Sequence, residues 1–381
     1  MILNISKITV KIESRAGDEA ELHTLCYITD EQIERRPMSV PVRNALRAGA
    51  YLLAGALWLS AVVLAAAIGT PGAAAEDVSL EKLVSGVVRI KAFINPEGRT
   101  LKNLGREREG SGIVIDSSGL VLTIGYIIVE AHAVEVTSND GRTVPAEVLG
   151  YDHETGFGLL RTLAPLNVRP LGLGKSADLN ELDPVLIASF GGSDRVAPAN
   201  VVARREFAGS WEYLLNEAIF TAPPHPAWSG AALINREAKL VGVGSLIVGD
   251  TSGKGDGVVG NMFVPIDALP PILADLISHG RVSGPGRPWL GIYAEEAHGH
   301  LYVGRVISNG PAEKAGVRRG DIIVGVAGAM PANLADFYRK IWALGGAGVT
   351  VPLDVLQNQE KRHFEVKSIN RLDNLKLKST F

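Results

Sequence analysis

The chain of 381 residues is 46% apolar and 21% charged, which is enough to bury two or three domain cores and too apolar for a disordered protein. Its 38 basic and 41 acidic residues leave a formal net charge of -3, so nothing argues for the basic face that nucleic-acid binding needs. The single cysteine, Cys26, has no intramolecular partner for a disulfide and leaves the redox compartment open.

Residues 1–37 carry mixed charge and no sustained apolar period, ending at Arg35-Arg36-Pro37. From Met38 the character changes. Arg43 and Arg47 precede an uncharged run over 48–68, and Ala73 to Ala75 form an A-x-A-like site. A basic n-region, an apolar h-region and small residues at the end are the layout of a secretory signal over 38–75. The run is also long enough to span a bilayer as an uncleaved anchor. Either way, everything after Glu76 is expected outside the cytoplasm, in the periplasm of a bacterial cell, with Met38 as the expected start and 1–37 as an uncertain extension.

Beyond the signal the chain reads as short strands. Alternation over Val84 to Ile94 is followed by apolar runs at 110–116, 118–123 and 133–137, and Asn139-Asp140-Gly141 is a hairpin signal. Further strands are expected at 144–151, 158–163, 184–190 and 218–222. Many short strands without intervening helices predict a mainly β domain over 76–281, as a pair of barrels or a sandwich. The first clear helix is expected at Ile266 to Ser278, closed by His279-Gly280.

One hydroxyl in this domain looks reactive. Ser229 lies between small residues in Trp228-Ser229-Gly230-Ala231, just before an apolar strand. A serine needs a base to take its proton, and without one the same letters describe a tight turn entering a buried strand. Two other local matches carry less. Gly174-Lys175-Ser176 lacks the first glycine of a phosphate loop, since that position holds Arg169. His298 and His300 near Glu295 and Glu296 lack a third spaced metal ligand, so no metal and no cofactor are expected.

The segment 280–288 is rich in glycine and proline and reads as a linker. After it come Trp289-Leu290-Gly291-Ile292, a strand at 301–307, the string Pro311-Ala312-Glu313-Lys314-Ala315-Gly316 to Gly320-Asp321, a helix from about Asn333 to Leu344, and a strand pair over 349–366. A short tail follows at 373–381.

These strings, in this order, resemble the HtrA family of trypsin-like serine peptidases with a C-terminal PDZ domain. The resemblance spans about Leu80 to Ile369. It is carried by Gly110-Ser111-Gly112 through Thr123, by Asp140-Gly141-Arg142, by Ala146 to Asp152, by Leu171 to Asp178, and by Trp228 to Asn235. It implies a trypsin-like double β-barrel followed by a small α+β PDZ domain at 282–372, with catalysis by a His, an Asp and a Ser in the cleft between barrels. Position by position the set is incomplete. Where the family reads Leu-Thr-Asn-x-His, this chain reads Leu122-Thr123-Ile124-Gly125-Tyr126. Where the family has Asp in Thr-Asp-Leu-Ala, this chain has Gly156 in Thr155-Gly156-Phe157-Gly158. Ser229 matches the nucleophile, and Ala227 stands at the oxyanion-hole glycine.

A tyrosine with an ordinary pKa near 10 is protonated at neutral pH and is no general base. Loss of the triad histidine costs about a millionfold in turnover. Three histidines, His132, His153 and His225, are candidates for a substitute base, against the ordinary alternative of solvent-facing loop residues. Trp228 is expected to fill the cleft. In the PDZ domain, the backbone amides of Leu290, Gly291 and Ile292, beside Trp289, are expected to hold a peptide's terminal carboxylate while the peptide adds as a strand to the sheet edge. Phe337, Ile341 and Leu344 either wall that groove or are plain core.

Three functions follow. The first is a pseudo-peptidase that binds protein C-termini or extended peptides through its PDZ domain, as scaffold, regulator or holdase. The second is a serine endopeptidase of periplasmic protein quality control, with a substitute base or residual activity. The third is a structural partner that assembles with an active relative, or as the homotrimer that the resemblance implies. Membrane anchoring through 48–68 is compatible with each.

Overall fold

The structure is a computed structural model that describes residues 79–377. The expected extension at 1–37, the signal or anchor segment at 38–75 and the last four residues of the tail lie outside the described residues.

Ser79 caps a short helix α1 (Leu80–Val84) by accepting the Lys82 amide on its hydroxyl. The expected first strand therefore begins later. The first barrel closes in the order β1-β2-β3-β6-β5-β4. Its strands are β1 (Val87–Ile94), β2 (Glu107–Val114), β3 (Leu120–Ile124), β4 (Ala131–Thr137), β5 (Thr143–Tyr151) and β6 (Phe157–Thr162). Helical turns α2 (Leu101–Leu104) and α3 (Gly125–Ile128) interrupt the strands, so Ile266 to Ser278 is not the first helix. The β4–β5 turn is the expected hairpin, with Gly141 at φ 90, a backbone region glycine adopts without strain.

The second barrel closes as β10-β11-β12-β9-β8-β7. It comprises β7 (Pro184–Ala188), β8 (Val196–Gly209), β9 (Tyr213–Ala222), β10 (Ala232–Ile234), β11 (Leu240–Val248) and β12 (Gly260–Pro265). A 3-10 turn at Ile266–Ala268 then leads into α4 (Pro270–His279), which Gly280 ends in the left-handed conformation. Alternation puts Val88, Ile90, Ile113, Leu122 and Leu159 in the first core, and Ile187, Val201, Ile219 and Phe263 in the second. Each such side chain contributes about 1.5–3 kcal/mol by leaving water.

The C-terminal domain is one antiparallel sheet, ordered β13-β14-β15-β16-β17. Its strands are β13 (Ile292–Ala297), β14 (His300–Val306), β15 (Ile322–Val326), β16 (Thr350–Gln357) and β17 (Glu360–Lys367), with helices α5 (Pro311–Ala315) and α6 (Leu334–Trp342). Phe337 and Ile341 of α6 are fully buried core, while Leu344 is exposed. The fold is thus mainly β, two barrels and an α+β sheet domain, as the resemblance implied.

The segment 280–288 is not a free spacer. Arg287 pairs with Glu154 of the first barrel at 3.0 Å and stacks over the Trp342 ring at 4.1 Å. The tail also returns, since the Lys376 amide donates to Glu130 at 2.8 Å.

Candidate functional site

Ser229 sits in the turn entering β10, where the two barrels meet. The turn is pinned from the first barrel: Ser111 of β2 donates its amide to the Ser229 carbonyl at 2.8 Å. Gly230 follows at φ 74, and a Cβ there would meet the Ser111 carbonyl at 1.9 Å, so the position requires glycine. Strand β2 also passes close by at Gly110, whose Cβ would lie 3.0 Å from the Ser229 hydroxyl.

Tyr126 reaches the serine from α3, at the end of β3. Gly125 makes this possible, because a Cβ there would strike the Tyr151 ring at 2.2 Å. The Tyr126 hydroxyl lies 2.9 Å from Ser229 Oγ and 2.9 Å from the Ser245 carbonyl. A phenol carries one proton, and a carbonyl only accepts. The proton is therefore shared between Ser229 and Ser245, or goes to Ser245 while Ser229 donates to the phenol oxygen. Neither arrangement leaves a base. Burial pushes the phenol up to about 12, so it stays protonated throughout the neutral range.

Gly156, where the resemblance expects the orienting carboxylate, has no room for a side chain. It has φ 85, and a Cβ there would meet Tyr213 Oη at 3.0 Å. That phenol donates to the Thr155 carbonyl at 2.7 Å. On the other side of Ser229, the Ala227 amide donates to His225 Nδ1 at 3.1 Å. An amide committed to a ring nitrogen is not aimed at a developing oxyanion. Among the described residues with positive φ, Ala227 does not occur.

The three candidate substitute bases go elsewhere, and among the described residues none of them hydrogen-bonds to Ser229. His132 is exposed on β4. His225 is buried; its amide donates to Asn261 at 2.6 Å and its Nδ1 accepts from Ala227. Burial holds its pKa below the usual histidine value. His153 is placed 3.0 Å from Tyr151 Oη through Nδ1 and 2.8 Å from Arg371 Nη1 through Nε2. Nε2 also lies 3.1 Å from the Glu212 carbonyl, which only accepts, while the guanidinium only donates, so the two neighbours ask opposite roles of this nitrogen. Burial, and then Arg371, keep this ring neutral, well below the ordinary value.

Trp228 corrects one expectation. It does not fill the cleft but is half-buried and lines a cavity of about 460 Å³, with Tyr126, Tyr151, Trp211, Tyr213 and Ser245 among the other walls. In its wall Trp211 stacks on Tyr213, with ring centroids 5.6 Å apart and the rings nearly parallel, at 19°.

In the C-terminal domain, the amides of Leu290, Gly291 and Ile292 converge on a carboxylate that belongs to this chain. Leu290 donates to Glu212 Oε2 at 2.9 Å, and Gly291 and Ile292 donate to Oε1 at 2.7 and 2.8 Å. Gly291 takes φ 79 to turn its amide inward. Trp289 is buried and bridges to Ile369 rather than touching this carboxylate. Nothing in the sequence marked Glu212. It occupies the tip of the β8–β9 hairpin, a turn that reads as ordinary surface.

A family profile described as trypsin-like peptidase domain matches residues 110–243, and one described as PDZ domain matches residues 288–368. A serine protease PepD of Mycobacterium tuberculosis is 30% identical over 316 residues, covering 77% of this chain and 66% of that protein. A probable periplasmic serine endoprotease DegP-like of Pseudomonas putida is 28% identical over 279 residues, covering 68% of this chain and 56% of that protein. The chain thus spans about two thirds or less of the length of these two relatives. The solved structure of an HtrA-type protease AlgW with decapeptide superposes with a TM-score of 0.46 at 24% identity, covering 77% of this chain and 99% of that one.

Proposed function

We propose, from the premise that the chain belongs to the HtrA family of serine peptidases with a PDZ domain, that it is a member without turnover whose PDZ domain, at 282–372, binds protein C-termini or extended peptides. The barrel domain, at 76–281, then serves as architecture. Signal or anchor at 38–75 delivers both outside the cytoplasm, the location that the name of the Pseudomonas putida relative states for that protein.

One observation carries the reading. The hydroxyl of Ser229 has a protonated phenol 2.9 Å away where a peptidase needs a base. The committed Ala227 amide and the phenol beside Gly156 point the same way, since they remove the oxyanion donor and the orienting group. In a serine peptidase such losses do not add, because the members act as a unit, and the residual rate rests on the oxyanion hole and substrate binding. Here the first of these supports is compromised.

The test is hydrolysis of casein and of a fluorogenic peptide by the wild type beside Ser229→Ala. Equal background rates are expected. A wild-type rate that falls a hundredfold or more in Ser229→Ala would return the chain to the working endopeptidases.

A further inference from the structure

We infer that the peptide groove of the C-terminal domain is held shut by a tethered internal ligand, the β8–β9 hairpin tip from Gly209 to Leu214, which an incoming C-terminus must displace. The inference rests on the reading that this groove takes peptides, and it adds how access is controlled.

The tip offers the groove a carboxylate, a backbone acceptor at the sheet edge and an apolar side chain, the three features by which a C-terminus is recognised. The Glu212 carboxylate takes all three amides of the Leu290-Gly291-Ile292 turn, and the residue is buried to 4% exposure. Two residues earlier the tip lies against the free edge of β13: Ala294 donates its amide to the Ser210 carbonyl at 2.9 Å, as to an added strand. From the opposite wall, Tyr338 of α6 donates to the Gly209 carbonyl at 2.7 Å and accepts the Glu212 amide at 3.2 Å. Leu214 is buried in the same apolar cluster as Leu290, Ile292, Phe337 and Ile341. The side chain thus fills the place an apolar last residue would take.

Glu212 holds this position at φ 57, a left-handed conformation that a non-glycine residue keeps only where its surroundings fix it. Each amide donates one proton, so the turn cannot serve Glu212 and a peptide carboxylate together. Binding must then release the hairpin tip first, and the apparent affinity is reduced by the fraction of molecules in which the tip is out. The occupant that fits is a polypeptide with a free α-carboxylate, an extended backbone and an apolar final side chain of about leucine size.

The test uses the full chain and a fluorescein-labelled decapeptide of glycine and serine ending in Tyr-Val-Leu, as free acid and as C-terminal amide. Glu212→Gln and Glu212→Ala are expected to bind the acid about tenfold or more tighter than the wild type does, and the amide weakly in every form. Equal tight binding of the acid by all three proteins overturns the self-occupied groove while leaving peptide binding in place. Failure of all three to prefer acid over amide overturns both. A second measurement needs no peptide. Hydrogen exchange at Leu290 to Ile292 should be slow in the wild type and about tenfold or more faster in Glu212→Ala; unprotected amides in the wild type overturn the inference.

Discussion

Glu212 is a carboxyl that the fold almost closes off from water, and replacing it with glutamine separates two opposing influences on its proton. Burial pushes it from the ordinary 4.5 up to about 7, against the pull of the Leu290, Ile292 and Gly291 amides and the Arg371 guanidinium. The other titratable groups facing it are His153, held neutral by burial and Arg371, and Tyr338, whose phenol burial pushes far up. A carboxyl whose folded pKa lies above its unfolded value binds its proton more tightly in the folded state. Its contribution to stability is therefore full below about pH 4.5 and is lost as pH rises through 7. Between those limits the loss amounts to about 3 kcal/mol, at about 1.36 kcal/mol per pH unit. Urea unfolding of the wild type and Glu212→Gln at pH 4.5, 5.5, 6.5 and 7.5 reads this directly, because the glutamine does not titrate and the remaining groups cancel in the difference. Relative to Glu212→Gln, the wild type should lose about 3 kcal/mol across the series. A difference that stays flat or grows with pH would mean that the amides and Arg371 outweigh burial, and would refute the reasoning.

The same proton balance predicts that the acid decapeptide binds wild type more tightly at pH 8 than at pH 5.5, whereas Glu212→Gln shows no such gain in a titration by fluorescence anisotropy. Leu214→Ala removes a side chain with 7% exposure from the C-terminal core and should cost about 2–4 kcal/mol by calorimetry. Tyr126→His alone should leave hydrolysis within about tenfold of the Ser229→Ala background, because Gly156 supplies no carboxylate and Ala227 is committed to His225. A gain of several hundredfold would show that the rest of the site is intact. Gly156→Ala puts a Cβ at φ 85 and 3.0 Å from Tyr213 Oη, so thermal unfolding should report a loss of about 1–3 kcal/mol.

What the sequence made legible follows from how strongly local chemistry dictates each part. Strand β1 alternates along most of its length, and the Asn139-Asp140-Gly141 turn and the Gly280 helix end need residues that advertise themselves. Strand β8 went unpredicted because it is partly buried on both faces and carries Arg204, Arg205 and Glu206 in a row, which hides the period of two. Strand β10 was expected, as the apolar strand after Ser229, whereas β11 and β12 were missed; glycines stand where packing is too close for a side chain, at Gly244 of β11 and Gly260 of β12. At the site, the identities at 126, 156 and 229 could be read by position, and the structure brings 126 and 229 together. The environment of Trp228 and the destinations of His153 and His225 could not, because they depend on residues far apart in the chain. Glu212 is the extreme case: its partners lie 78 to 80 residues away, and a glutamate at a hairpin tip gives no local sign of burial.

The account depends most on the Ser229 hydroxyl being unreactive, and a fluorophosphonate probe measures that reactivity without assuming a substrate. Incubated with the folded chain at pH 7.5, the probe should leave Ser229 unmodified by mass spectrometry, as in Ser229→Ala. Stoichiometric labelling of Ser229 in the wild type, absent from Ser229→Ala, would contradict it.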